Sequence, residues 1–353
     1  MNTSSLLDAE DLPRRRPRRG SGRVTLMDVA QLAGVSAQTV SRSLNSPESV
    51  PPATLAKVRE AIATAGYVPD RLAGALASGR SRLVAALIPT IGSPVFQDTL
   101  QALSQTLAQR GYQLMLGECG YDDADEAQLI ENLLGRRPDG IVLTRLVQGQ
   151  AVRDRLLATR IPVVETWDLT AEPVDMLIGF CHGDVGRAVA DFLAGQGRRH
   201  PALVTGDDPR AGLRGHSFAN QLAALGVLAK AADLPVARAP SPFTVGMART
   251  ATRELLDQHP QIDAIFCSTD LIAWGAITEI QASGRRVPED VAVVGFGDLN
   301  FSQDTIPSIT SVRTHGAVIG EQAAQWVMDR AEGRSAEAHR MDVGFALIRR
   351  GST

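Results

Sequence analysis

Leu26, Val29, Ala30 and Ala33 fall at i, i+3, i+4 and i+7, one apolar face of a helix. Thr25 can cap its start, with Asp28 three residues on, and Gly34 ends it. Ser36 is a good N-cap for a second helix that keeps Val40 and Leu44 on its buried side. Its other side carries Ala37, Gln38, Ser41 and Arg42. Ala30 and Ala33 are small, so the two helices can cross closely at a short turn. The pattern predicts a helix-turn-helix whose second helix enters a DNA major groove. Taken alone, it also fits an ordinary amphipathic hairpin. A third helix is predicted from Pro52, with Leu55, Val58, Ala61, Ile62 and Ala65 as its stripe and Gly66 as its stop.

From Leu83 the pattern changes. Apolar runs at 83–89, 112–117, 140–144 and 161–165 alternate with helical segments, the first two starting near 95 and 123. After Gly183 the rhythm restarts. A helix to about 195 precedes a run at 201–206, helices over 212–225 and near 245–258, a run at 264–269, a helix over 270–283 and a run at 291–297. Strands and helices alternating at this spacing imply parallel sheets covered on both faces. Two consecutive sets imply two lobes, and ligands of open α/β sheets sit at the carboxyl ends of the strands. A cleft between the lobes is the expected site.

Composition places the chain among folded proteins, since 44% of its 353 residues are hydrophobic. No apolar run is long enough to span a membrane, and no apolar segment follows the N-terminal basic residues as in a signal peptide. A cytoplasmic protein without a membrane partner is expected. Cys119, Cys181 and Cys267 match no metal or disulfide spacing, so they read as small buried hydrophobes and no metal site is expected. The net charge of −3 argues against a nucleic-acid binder, but its distribution argues the other way. Residues 1–80 carry 11 Lys+Arg and 7 Asp+Glu, a net of +4, and the rest carries 25 and 32, a net of −7. The basic part is the one with the helix-turn-helix, as phosphate contact requires. Residues 1–22 hold Arg14-Arg15-Arg16-Pro17-Arg18-Arg19 and read as a disordered basic tail.

The run Asp28-Val29-Ala30, Ala33-Gly34-Val35-Ser36, Thr39-Val40-Ser41-Arg42 and Leu44-Asn45 closely resembles the headpiece of the lactose-repressor (LacI/GalR) family. The resemblance implies a transcriptional regulator rather than an enzyme, with no cofactor, acting as a homodimer on double-stranded operator DNA. Thr25, Ala37, Gln38, Thr39, Ser41, Arg42 and Asn45 are the headpiece residues it assigns to DNA, with Gln38 suited to adenine and Arg42 to guanine edges. Lys57 and Arg59 would hold phosphates. Residues 70–81 stand where the family has its hinge helix, and Leu76 falls at the leucine that wedges into the minor groove. Asp70 departs from the usual Asn, and Gly74 weakens the helix by about 1 kcal/mol. The remainder resembles the periplasmic-binding-protein-like core of the family, in which the chain crosses between lobes three times. The division it implies is a headpiece over 23–69, a hinge over 70–81, an N-lobe of 82–180 with 314–335, and a C-lobe of 181–313 with 336–353.

Within the family the likeness is to repressors of gluconate-type operons. It rests on Pro94-Val95-Phe96, Gly120-Tyr121, Pro162-Val163-Val164-Glu165, Val294-Gly295-Phe296-Gly297-Asp298-Leu299 and Asp342-Val343-Gly344-Phe345. A sugar acid needs a cation for its carboxylate and acceptors for its hydroxyls. Arg214 stands where the family carries a basic pocket residue near the start of a C-lobe helix. Phe96, Glu165, Trp167 and Asp168 in the N-lobe, and Thr269, Asp270, Phe296 and Asp298 in the C-lobe, lie at strand ends or helix starts. Each has a structural alternative: Asp270 as a helix cap, Trp167 as core, Arg214 as the partner of a surface acid. Gly297 replaces an aspartate of hexose-binding members, which is compatible with an acidic ligand.

Two other functions are weighed. A sugar-binding transport protein would have a signal peptide and no headpiece, the reverse of what is written here. An enzyme on this fold would need a phosphate loop or nucleophile elbow, and the chain has neither motif. Its six histidines, His182 among them, pair with no obvious Ser or Cys. Without a long heptad tail after residue 340, a tetramer held by a C-terminal coiled coil is not expected.

Overall fold

The structure is a computed structural model and describes residues 24–68, 80–120, 123–239, 244–334 and 340–353. The Arg-rich tail, Tyr121, and the hinge segment up to Gly79 with Leu76 lie outside these residues. Contacts divide the chain after Gly79 into two compact units.

In the first unit, α1 (Leu26–Ala33), α2 (Ala37–Asn45) and α3 (Pro52–Ala65) form the helical headpiece. The ends of α1 and α2 are written locally. Asp28 accepts from the Thr25 backbone N–H at 2.7 Å, and Thr25 returns the bond to Asp28 N–H, a complete capping box. Gly34 closes α1 at φ 65°, a left-handed conformation that glycine adopts without strain. Ser36 accepts from Thr39 N–H at 3.1 Å to start α2. Val29, Val40 and Val58, with Ala30 and Ala61, make the core that joins the three helices.

The second unit holds two α/β lobes. The N-lobe contains β1 (Leu83–Ile88), α4 (Gln97–Gln109), β2 (Gln113–Glu118), α5 (Asp123–Leu134), β3 (Gly140–Leu143), α6 (Gln150–Thr159), β4 (Val163–Thr166) and β5 (Met176–Gly179). The C-lobe contains α7 (His182–Gly195), β6 (Pro201–Thr205), α8 (Pro209–Ala224), β7 (Val236–Arg238), α9 (Val245–Gln258), β8 (Ala264–Cys267), α10 (Asp270–Ala282), β9 (Ala292–Gly297) and β10 (Thr310–Arg313). The chain then returns to the N-lobe as α11 (Gly316–Ala331) and β11 (Arg340–Asp342), and ends in the C-lobe with β12 (Ala346–Ile348). Strand order is β11-β5-β4-β3-β1-β2 in one sheet and β12-β10-β9-β8-β6-β7 in the other. Both are parallel except where β12 runs antiparallel to β10.

The inner strands of each sheet are buried on both faces, which explains their continuous apolar runs. On β1, Val84 and Ala86 pack with Leu103 of α4 and Ile319 of α11, while Ala85 and Leu87 pack with Ile130 of α5 and Leu156 of α6. In the C-lobe, Leu203 and Phe266 face α7 and α8, and Val204 and Ile265 face α9 and α10. One apolar cluster runs continuously from the α4–α11 layer to the α7–α8 layer, so the lobes share a core at their boundary.

The division of the C-terminal tail differs from the expected one. Residues 336–353 were expected in the C-lobe, but Arg340–Asp342 pairs with β5, register Arg340↔Leu177 and Asp342↔Gly179. Left as an edge, β5 would expose a row of unpaired backbone groups, and this short strand covers them. The tail joins the C-lobe only after Asp342. Helix α8 also starts earlier than expected, because Asp208 caps it through Ala211 N–H at 2.8 Å with Pro209 at its first position.

Candidate functional site

On α2, Gln38 and Arg42 are exposed one turn apart on the same face. Ala37, Thr39 and Ser41 are half-buried beside them. Two of the expected DNA residues also serve the caps. The Thr25 hydroxyl donates to Asp28 at 2.7 Å, and the Thr39 hydroxyl lies 2.9 Å from that of Ser36. Lys57 and Arg59 are exposed on α3. The side chain of Asn45, which ends α2, lies outside the described residues.

The lobe boundary is organised by α8. A Cβ at Gly186 of α7 would sit 2.2 Å from the Arg214 carbonyl oxygen, so this glycine lets the two helix backbones meet closely. Arg214 is thereby brought beside His182, the first residue of α7. Arg214 is 3% exposed, with Nη1 of its guanidinium 3.0 Å from His182 Nδ1 and Nη2 donating to the Ser268 carbonyl at 3.2 Å. Its central carbon stands 3.8 Å from the Phe296 ring centroid, a cation–π stack.

His182 Nε2 is 2.8 Å from the Trp167 carbonyl oxygen. A carbonyl only accepts and a guanidinium only donates, so the ring carries its proton on Nε2 and is neutral. Burial first, then the charges of Arg214 and Arg210, hold its pKa well below the ordinary value. Around it runs an aromatic chain: Phe96–Trp167 at 5.0 Å, Trp167–Phe180 at 5.8 Å, Phe180–His182 at 4.6 Å and Phe180–Phe296 at 6.3 Å between ring centroids. Trp167 has φ 74° and donates its indole N–H to Thr99 at 3.2 Å.

Arg210, one turn before Arg214, crosses to the N-lobe. Its Nε lies 3.3 Å from an Asp168 carboxylate oxygen, and Nη2 donates to the carbonyls of Thr144 and, at 3.2 Å, Thr166.

Phe96, Trp167, Asp168, Arg214 and Phe296 therefore come together at one boundary. The other expected effector residues are likewise held by partners within the protein. Glu165 shares a sheet face with Val163 and accepts from the backbone N–H groups of Val147 at 2.9 Å and Val174 at 2.6 Å. Burial raises its pKa, and these two bonds oppose the rise. Thr269 caps α10 through Ile272 N–H at 3.3 Å. Asp270 accepts from Ser311 at 2.6 Å, Ser302 at 2.7 Å and Leu299 N–H at 2.7 Å, and burial pushes its carboxyl up. Asp298 pairs with Arg313 at 2.7 Å and Arg350 at 2.6 Å. Sequence reasoning missed Arg210 and His182. The i, i+4 spacing of Arg210 and Arg214 was the legible signal; His182 had none beyond its place where the second βα set begins.

The model of bacterial regulatory proteins, lacI family, matches residues 25–70, and that of the periplasmic binding protein-like domain matches residues 190–353. The HTH-type transcriptional regulator GntR of Pseudomonas aeruginosa is 35% identical over 336 residues, 95% of this chain and 97% of its own. A LacI-family transcriptional regulator from Silicibacter pomeroyi has a similar crystal structure, with TM-score 0.84 and 30% identity over 93% of this chain and 99% of its own. The lac repressor dimer bound to operator and the anti-inducer ONPF matches with TM-score 0.78 and 25% identity, over 94% of this chain and 99% of its own.

Proposed function

Since the chain belongs to the LacI family of bacterial regulatory proteins and is a DNA-binding transcriptional regulator, we propose that it is a homodimeric repressor of sugar-acid catabolism genes, released from a pseudo-palindromic operator by a gluconate-type effector held between its lobes. The observation that carries the effector assignment is the buried Arg214 guanidinium, seated over the Phe296 ring at the lobe boundary. Shielded from water, such a cation binds a carboxylate strongly and can orient it bidentately. Asp168 supplies an acceptor for hydroxyls, and Phe96, Trp167 and Phe296 supply ring faces. Glu165, Thr269, Asp270 and Asp298 shape the walls through the bonds they already make. The sequence likeness to gluconate-operon repressors points the same way.

On DNA, each headpiece presents Gln38 and Arg42 to base edges, with Lys57 and Arg59 toward phosphates. Two copies suit a two-fold operator, as in the operator-bound lac repressor dimer to which this chain is similar. The C-lobe offers an apolar face for a second copy: Trp274 is 42% exposed and its ring lies 5.4 Å from that of Phe301 at a tilt, and Ile306 is 88% exposed. Effector and operator are coupled by a free energy, so each changes the other's affinity by the same factor.

The test is binding of the purified protein to its own upstream DNA at fixed salt, with and without D-gluconate. Loss of a sequence-specific complex on adding gluconate supports the reading. Specific binding indifferent to gluconate rejects the effector, and no specific binding rejects the operator function.

A further inference from the structure

We infer that His182 is the positioning residue for Arg214: as a neutral ring bonded to both lobes, it sets the direction in which the cation meets an acidic effector. This rests on the effector reading above. Its two hydrogen bonds are made to different lobes, Nε2 to the Trp167 carbonyl of the N-lobe and Nδ1 to Arg214 of the C-lobe. An arginine has several rotatable bonds, and its guanidinium is useful to a carboxylate only when its plane is fixed. Here the plane is defined by His182 on Nη1, the Ser268 carbonyl on Nη2 and the Phe296 ring beneath. His182 itself is 2% exposed and held between Phe180 and Phe296, so it does not rotate freely.

The role requires an uncharged ring. Protonation would set an imidazolium N–H against a guanidinium N–H about 3 Å away, with no acceptor between them. The charged side chains around the ring are Arg214 and Arg210, and Asp168 pairs with Arg210 rather than with the imidazole. An apolar residue here would leave the Trp167 carbonyl without this donor and Arg214 without this acceptor. Glutamine offers a donor and an acceptor at a similar separation.

The test compares full-length wild type, His182→Gln, His182→Phe, Arg214→Ala and the Arg214→Ala/His182→Phe pair. Calorimetric titrations with D-gluconate and with D-glucitol, its uncharged counterpart, report the preference for the carboxylate. His182→Phe is expected to lose about tenfold or more of that preference, as for loss of a hydrogen bond to a charged group. His182→Gln is expected to retain most of it, and the double variant to match Arg214→Ala, because the two residues act as one unit. An unchanged preference in His182→Phe, or full additivity in the double variant, overturns the inference. If the wild type binds no gluconate, the effector reading fails on its own, and ¹⁵N NMR of the imidazole still decides the pairing. A wild-type His182 that stays in the Nε2–H form while exposed histidines protonate, and that titrates at higher pH in Arg214→Ala, supports it. A wild-type ring in the Nδ1–H or doubly protonated form overturns it.

Discussion

The Arg210 guanidinium and the Asp168 carboxylate stand 3.3 Å apart across the boundary between the two lobes. Arg210 belongs to the first turn of a C-lobe helix, and the carbonyls it also meets, of Thr144 and Thr166, close two N-lobe strands. One side chain thus fastens three points of the opposite lobe. Both partners are largely shielded, at 12% and 18% side-chain exposure, so salt screens the pair less than a surface ion pair.

Arg210→Ala is expected to loosen the tie between the lobes. Small-angle scattering should report a larger radius of gyration, and effector affinity should fall about tenfold or more. Arg210→Lys should restore little, because a single ammonium cannot serve a carboxylate and two carbonyls with the geometry of a fork. Unchanged scattering and affinity in both variants would remove Arg210 from closure.

His182 gives the core a pH dependence of definite sign. Its folded pKa lies below the ordinary value of 6.5, so in the window below 6.5 the unfolded chain takes up a proton that the folded chain refuses. Stability is full above that value and falls as pH drops toward the folded pKa. Urea unfolding at pH 7.5 and 5.5 should therefore show a smaller acid loss in His182→Gln than in the wild type.

Asp270 is expected to be a stability residue first. Asp270→Ala strips an acceptor from Ser302, Ser311 and Leu299 at once. Loss of about 3 kcal/mol is expected for buried donors left unpaired. Gly295→Ala should act on the same carboxylate, since a Cβ there would lie 2.1 Å from it. Chemical denaturation measures both; a stable Asp270→Ala that has lost only effector binding would contradict this.

In the headpiece, cap and surface residues separate. Ser36→Ala removes the N-cap of α2 and should cost about 1 kcal/mol of headpiece stability. Arg42→Ala should leave the fold intact and cost about 1–3 kcal/mol of specific binding, read by titrating operator DNA at constant salt.

Trp274→Glu should yield a folded monomer with weakened operator binding if the Trp274–Phe301 face seats a second copy. Analytical ultracentrifugation reads the outcome, and a dimer of unchanged strength would move the interface elsewhere.

Much of this molecule is determined by the sequence alone, for a local reason. Thr25, Gly34, Ser36 and Pro52 bound three helices through bonds or torsions within a few residues, so their meaning is readable in place. Buried parallel strands such as Leu83–Ile88 declare themselves as continuous apolar runs. Strands with polar or short sequences did not: Thr310–Arg313 has three polar residues of four, and Val236–Arg238, Arg340–Asp342 and Ala346–Ile348 have three residues each. They exist because a neighbouring edge pairs with them, which no local pattern records.

Side-chain roles at the boundary were decided only by tertiary structure. Glu165 and Asp270 have the same chemistry as Asp168, and all three lie near strand ends. What separates them is which backbone or hydroxyl groups return to meet them, from 9 and 18 residues away for Glu165 and 29 to 41 for Asp270. His182 owes its tautomer to a carbonyl 15 residues before it and a guanidinium 32 residues after it. A hydrogen bond depends on distance and direction in space, and the sequence states only the groups that could make one.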